Sequence, residues 1–313
     1  MDGLLVVDKP VGPTSHDVVA RVRRAIGEAR VGHTGTLDPA ASGVLPLVIG
    51  RATRLARFLS ADDKSYEALV VFGIATDTYD AQGTPQPSES GPLPTRSEIE
   101  QALAGFRGTR LQQPPPYSAK KVGGRRSYRA ARAAARLGAK PATIPSSSAF
   151  PALALPAPVA VTVHRLDLVG VENDRITLRV DCSAGFYVRA LAHELGRQLR
   201  VGAHLAALRR TASAGFTIAD TVPLALVERD RAAALAAIIP LANMLPGMSA
   251  VVLTDEGLTR ATRGRDIRPD DVATGSLPTA RTPIRLLDRQ GQLVGIAEAE
   301  GASGFLHPSV VLM

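Results

Sequence analysis

The chain has 313 residues, enough for one large domain and a small one, and its 45% hydrophobic content excludes a wholly disordered polymer. Its one cysteine, Cys182, excludes a disulfide framework or a cysteine-rich zinc site within the chain. The net charge of +8 is local: residues 101–166 carry eleven Lys and Arg and no acid, while the remainder is slightly acidic.

In chain order, residues 4–7 read as a short strand running into the turn-rich Asp8, Lys9, Pro10, Gly12 and Pro13. Thr14 and Asp17 have capping-box spacing, and Val18, Val19, Val22 and Ile26 follow at helical intervals. A glycine-rich loop around Asp38 comes next, then an apolar run over 44–49 and a helix containing Thr53, Ala56 and Leu59. Residues 66–74 read as a strand and 76–94 as a polar, acidic loop. Ser97 and Glu100 mark a second capping box, with Ile99, Leu103 and Phe106 on one helical face.

The prolines of 112–118 make a stiff, extended lead into a helix at about 127–137. Arg125, Arg129, Arg132 and Arg136 fall at helical spacing and share one face of it. Residues 140–158, rich in Pro, Ser and Ala, read as a mobile loop. Val159, Val161 and Val163 alternate as a strand, and so do residues 175–182, whose inward positions make Cys182 a buried, inert thiol. After Gly185 a helix buries Val188, Leu191, Ala192, Leu195 and Leu199. A helix-rich stretch follows over 221–239, and residues 240–246 look like a boundary. Beyond them, short strands at 249–253, 282–287, 293–297 and 309–312 read as a small all-β domain.

No basic-then-apolar leader precedes Asp2 and Asp8, and the longest apolar stretches, 149–163 and 232–242, are too short to span a bilayer. The expectation is a cytoplasmic protein with no membrane partner. The acid-free basic segment, with Lys120 and Lys121 beside the arginines, is the footprint of a polyphosphate partner.

Asp38 is the one acid between Glu28 and Asp62, and it sits within GHTGTLDPAASGVLP at residues 32–46. The glycines allow tight backbone and close approach of a ligand. Pro39 pushes Asp38 towards an extended conformation. An Asp-Pro pair alone is a common turn dipeptide. Other catalytic patterns fail on spacing. His193-Glu194 has Arg197 where a zinc protease needs its second histidine, and no phosphate loop or dinucleotide glycine pattern occurs.

The fifteen-residue stretch resembles, almost letter for letter, the catalytic motif of the TruB family of tRNA pseudouridine synthases. The resemblance continues in the same order over residues 4–215. Lys9, Pro10 and Gly12 match the family's first motif, and SAGFYVR at 183–189 matches its third. It implies that Asp38 is the nucleophile, that Tyr66 stacks on the target uracil, and that Tyr187 and Arg189 line the pocket with Arg189 paired to the nucleophile. It further implies that His33 inserts into the tRNA T loop and that Leu208 makes an apolar contact to the base.

From the chemistry alone, a carboxylate can isomerise uridine covalently, by attack at uracil carbon 6 or at the ribose anomeric carbon, with no metal and no cofactor. The carboxylate must stay ionised, and Arg189 would be a cation at a helix N-terminus, a placement that an adjacent anion explains. By resemblance the fold is α+β, a mixed, largely antiparallel sheet over 1–246 with a basic RNA-clasping insertion at about 107–158, then a PUA-like RNA-binding domain over 247–313. The implied partner is tRNA at its T arm, met by a monomer, with uridine 55 as target. Two rivals are a non-catalytic RNA chaperone, which needs the basic stretch but not Asp38, Tyr66 and Arg189, and the family's guide-RNA-dependent relatives.

Overall fold

The computed structural model describes residues 1–88, 91–117, 121–122, 125–126, 156–277, 282–299 and 304–313. The helix expected at 127–137, with Arg129, Arg132 and Arg136, lies outside the described residues, as do Lys120 and most of the 140–158 stretch. The chain runs β1 (Gly3–Lys9), α1 (Ser15–Ile26), β2 (Val31–His33), β3 (Ala41–Ile49), α2 (Ala56–Ser60), β4 (Lys64–Phe72), β5 (Ala75–Thr76), β6 (Pro85–Gln86) and α3 (Arg96–Ala104). It continues through β7 (Gly108–Gln112), the short pair β8 (Lys121–Val122) and β9 (Arg125–Arg126), β10 (Val159–Glu172), β11 (Arg175–Cys182), α4 (Val188–Gln198) and β12 (Ala203–Ser213). Then come β13 (Phe216–Thr217), β14 (Val222–Pro223), α5 (Leu224–Arg229), α6 (Arg231–Ala236), β15 (Ala250–Leu253), α7 (Asp255–Thr262), β16 (Val272–Thr274), β17 (Pro283–Leu287), β18 (Leu293–Ala299) and β19 (Leu306–Val311).

Two compact units emerge, one from Met1–Pro39, Gly43–Asp62 and Ala212–Met313, the other from Ala40–Ser42 and Asp63–Thr211. In the first, β1 runs antiparallel to β3 and parallel to β14, and β2 pairs with the other side of β3. Leu4, Leu5, Val6 and Val7 are all at most 1% exposed, so β1 is covered on both faces and reads as a continuous apolar run. The capping box of Thr14 and Asp17 starts α1, and Gly27, at φ 72° in the left-handed region, ends it by donating to Arg23 O.

The C-terminal sheet has the order β16-β15-β17-β18-β19 and is mixed, since β15 and β17 are parallel. The four strands read from the sequence all appear there, joined by the short helix α7. Leu293, Ile296 and Leu312 from this sheet share one apolar cluster with Leu4, Val6, Val44, Leu55 and Leu59. Each such side chain, fully buried, contributes roughly 1.5–3 kcal/mol.

In the second unit β12, β4, β11, β10 and β7 lie side by side, with β4, β11, β10 and β7 antiparallel in turn and Tyr66 opposite Val180. The fold is thus α+β with a large mixed sheet and a separate C-terminal five-stranded sheet. Cys182 is fully buried, and desolvation pushes its thiol up to about 12, so it is inert. One sequence expectation shifts. The cap of α3 is Thr95 with Glu98, not Ser97 with Glu100. Both pairs have the required spacing; the earlier start adds half a turn and a 2.9 Å pair from Arg96 to Glu100.

Candidate functional site

The candidate residues fall into two groups, each built within one unit. In the first unit Asp38 is half-buried, in the loop after β2 and without regular structure, as the following proline dictates. Its backbone neighbours are fixed on both sides. The buried Ser15 hydroxyl accepts from Leu37 N at 2.8 Å and donates to Leu37 O at 3.0 Å. Gly12, at φ 115°, donates its N–H to Pro39 O at 2.8 Å. Thr34 N–H donates to Pro46 O, closing the loop's base. The loop therefore presents one carboxylate from a backbone that is tied down immediately before and after it. His33 ends β2, half-buried, and meets the His16 ring edge-on at 5.2 Å. Lys9 is fully buried at the end of β1 and donates to Pro10 O.

In the second unit Tyr66 is buried on β4, and the fully buried Arg210 of β12 donates a side-chain hydrogen bond to it. Desolvation lowers the Arg210 pKa, and the Tyr66 contact opposes that shift. Leu208 is half-buried on the same strand, and Arg209 between them reaches Ser42 Oγ at 3.5 Å. Tyr187 is the N-cap of α4. Its backbone is gripped by the amide of the buried Gln112, which accepts from Tyr187 N at 2.8 Å and donates to Tyr187 O at 3.0 Å.

Arg189 is buried in the first turn of α4, a turn with no acid of its own. Its guanidinium donates to Thr78 O and Tyr117 O, both at 3.0 Å, and lies 3.4 Å from Asp80 Oδ2. An anion beside this arginine was expected from its place at the positive end of a helix. Asp80 is such an anion, and the sequence reading passed over it as part of an acidic loop. That loop is a tight turn after β5. Thr78 Oγ1 donates to Asp80 Oδ1 at 2.7 Å, Gln82 N–H to the same oxygen at 3.0 Å, and Thr76 Oγ1 to Asp80 O at 2.7 Å. The signal available was Thr76, Thr78 and Asp80 at alternate positions, each able to bond back to a turn. Ser15 and Gln112 are likewise hidden in the sequence, since both act on backbone far away along the chain.

Among the described residues no group of His, Cys, Asp and Glu could hold a metal ion, and no helix is long and apolar enough to cross a membrane. Of the basic candidates, Lys121 and Arg125 lie in the β8–β9 hairpin.

The sequence matches the TruB family pseudouridylate synthase N-terminal domain over residues 23–148 and the tRNA pseudouridylate synthase B C-terminal domain over 189–245. The tRNA pseudouridine synthase B of Solibacter usitatus is 40% identical over the whole of both chains. That of Synechococcus sp. is 38% identical over 99% of this chain and 97% of its own. Among solved structures, a Cbf5–Nop10–Gar1 complex contains a chain 26% identical with a TM-score of 0.73, covering 99% of this chain and 85% of that one. Fold and matched domains together define a pseudouridylate synthase. The chain belongs to the TruB family of tRNA pseudouridine synthases B, and it is an isomerase.

Proposed function

We propose that the enzyme converts uridine 55 in the T loop of tRNA to pseudouridine, with Asp38 as the covalent nucleophile. The observation that carries this reading is the fixing of Leu37 and Pro39 by Ser15 and Gly12, which presents the Asp38 carboxylate from a rigid loop. A nucleophile must be held in attack geometry, and a rigid backbone does so without cost at the moment of reaction.

In the reaction the bond from the ribose anomeric carbon to uracil nitrogen 1 breaks, and a bond from the same carbon to uracil carbon 5 forms. Carbon 5 loses a proton and nitrogen 1 gains one. Asp38 forms its adduct either at uracil carbon 6 or at the anomeric carbon. The target is flipped out of the folded loop, at a cost of about a few kcal/mol. Tyr66 stacks on the flipped base, Leu208 packs on it, Tyr187 lines the pocket, and Arg189 is the cation that the family resemblance pairs with the nucleophile. His33 fills the space the base leaves.

The basic segment within 107–158, including Lys120, Lys121, Arg125, Arg129, Arg132 and Arg136, binds tRNA phosphates. Residues 247–313 act as a PUA-like platform beside a catalytic domain of 1–246, in a cytoplasmic monomer. The test is release of tritium from carbon 5 of uridine in an unmodified tRNA transcript, wild type against Asp38→Asn. Release at other uridines only, or undiminished release by the variant, overturns the reading.

A further inference from the structure

Tyr79 occupies a backbone conformation that tyrosine rarely adopts. Its φ is 67°, in the left-handed region where a turn ordinarily uses glycine or asparagine. Its chain neighbours are two of the residues that hold Arg189, Thr78 by its carbonyl and Asp80 by its carboxylate. The turn is further bracketed by β12, where Leu205 N–H donates to Tyr79 O and Ala81 N–H donates to Leu205 O, both at 3.0 Å.

The Tyr79 ring lies flat on His193, with centroids 3.8 Å apart and planes 10° from parallel. His193 stands four residues after Arg189 on α4, one turn further along the same face. The stack therefore joins the Asp80 turn to α4 one helical turn from the guanidinium that the turn embraces. Burial holds the His193 ring neutral, down to a pKa of about 4, with the Arg197 charge adding to the effect. Burial likewise raises the Tyr79 hydroxyl, which Arg197 opposes and Glu194 reinforces. Neither ring gains or loses a proton near neutral pH, so the pair serves as two flat, uncharged faces.

We infer that the Tyr79–His193 stack is a positioning clamp, which keeps Thr78 O and Asp80 in register with Arg189 and so sets the orientation of the guanidinium during catalysis. The inference rests on the proposed role of Arg189. A tyrosine is tolerated at a left-handed position because its ring, not its backbone, is what the site uses.

Tyr79→Gly is the decisive variant, since glycine accepts the φ without strain and removes only the ring. Single-turnover rate and tRNA affinity are measured for Tyr79→Gly, Tyr79→Phe, His193→Phe, His193→Ala, the double variant Tyr79→Gly/His193→Ala, and Arg189→Lys. The clamp requires Tyr79→Gly and His193→Ala each to slow the chemical step about tenfold, with tRNA affinity unchanged, as expected of small misplacements in an active site. Tyr79→Phe and His193→Phe keep the rate and the pH profile, and the double variant is no slower than the worse single. Tyr79→Gly at wild-type rate while Arg189→Lys is inactive overturns the clamp and spares the Arg189 assignment. Arg189→Lys at wild-type rate overturns that assignment, and the clamp with it. A Tyr79→Phe variant as slow as Tyr79→Gly also overturns the clamp, because the hydroxyl would then carry the function.

Discussion

Two carboxylates in this enzyme sit in loops that are built differently. Asp38 is half-buried and its position comes from its neighbours, with Ser15 gripping Leu37 and Gly12 gripping Pro39. Asp80 is buried and held by its own side chain, which takes hydrogen bonds from Thr78 and Gln82 and faces Arg189. A carboxylate saturated with donors is a structural anchor, because each bond that stabilises the anion also blunts it as a nucleophile. At Asp38 the backbone on both sides is fixed as well, which sets the direction in which its carboxylate is presented. The contrast predicts that substitutions at the two sites will separate rate from stability.

The largest effect belongs to Asp38→Asn. The neutral amide is a poor nucleophile, so turnover is lost while folding and tRNA binding stay near wild type. Single-turnover assays should show a fall well beyond tenfold, more than ~1.4 kcal/mol in barrier, with the thermal midpoint unmoved. A variant retaining a tenth of the rate or more breaks the comparison at its first term.

Asp80→Asn and Arg189→Lys come next, and here stability and rate fall together. Both side chains of the pair are buried, at 8% and 12% exposure, so removing the Asp80 charge takes away a buried ionic contact of the guanidinium. The cost of breaking such a pair is about 3 kcal/mol. Lysine at position 189 cannot reproduce a planar group that contacts Thr78 O, Tyr117 O and Asp80 together. Thermal unfolding checks the stability half and single-turnover kinetics the catalytic half. An Asp80→Asn enzyme that loses rate with no change in midpoint would place Asp80 beside Asp38 in kind.

Much of this was legible in the sequence because its signals are local. The capping box of Thr14 and Asp17, the buried stripe of α4, the alternation through β11 and the left-handed Gly185 each declare themselves within a few residues. The loop around Asp38 is legible for the same reason, since glycine and proline act on their own backbone. Asp80 and Gln112 were hidden because their partners lie far away in sequence, at Arg189 and Tyr187. Composition also misled at Asp80: a stretch of Thr, Asp and Gly is equally a solvated loop or a self-bonded turn, and only the buried cation decides between them. The C-terminal strands were readable, but not the sharing of Leu293, Ile296 and Leu312 with the core around Leu4 and Leu55. Apolar alternation shows that a face is buried and not what it is buried against.

Ser15→Ala sharpens the account of Asp38 with a smaller effect. The substitution removes both hydrogen bonds to Leu37 and leaves its buried N–H and carbonyl without that partner, at a cost of roughly 1–3 kcal/mol. The thermal midpoint should drop, and the single-turnover rate should fall by less than in Asp38→Asn, because the proposed nucleophile is present but loosely held. If the rate is unchanged despite the lower midpoint, the Ser15 contact serves folding alone.

The smallest effect on chemistry is expected from the basic segment. Arg129, Arg132 and Arg136 stand at helical spacing in a run of sequence without acids, so few partners exist nearby in the chain to neutralise them. If they meet tRNA phosphates, changing all three to Gln weakens binding to any structured tRNA and leaves the rate of bound substrate untouched. Salt provides the sharper measure. Each phosphate contact contributes roughly 0.7–0.9 to the slope of log affinity against log salt, so losing three should flatten it by about 2 to 3. Measured beside Asp38→Asn, the result separates capture from chemistry: one variant binds and does not turn over, the other turns over once bound. An unchanged salt slope in the triple variant would mean that these arginines face solvent, and that the phosphate contacts lie elsewhere.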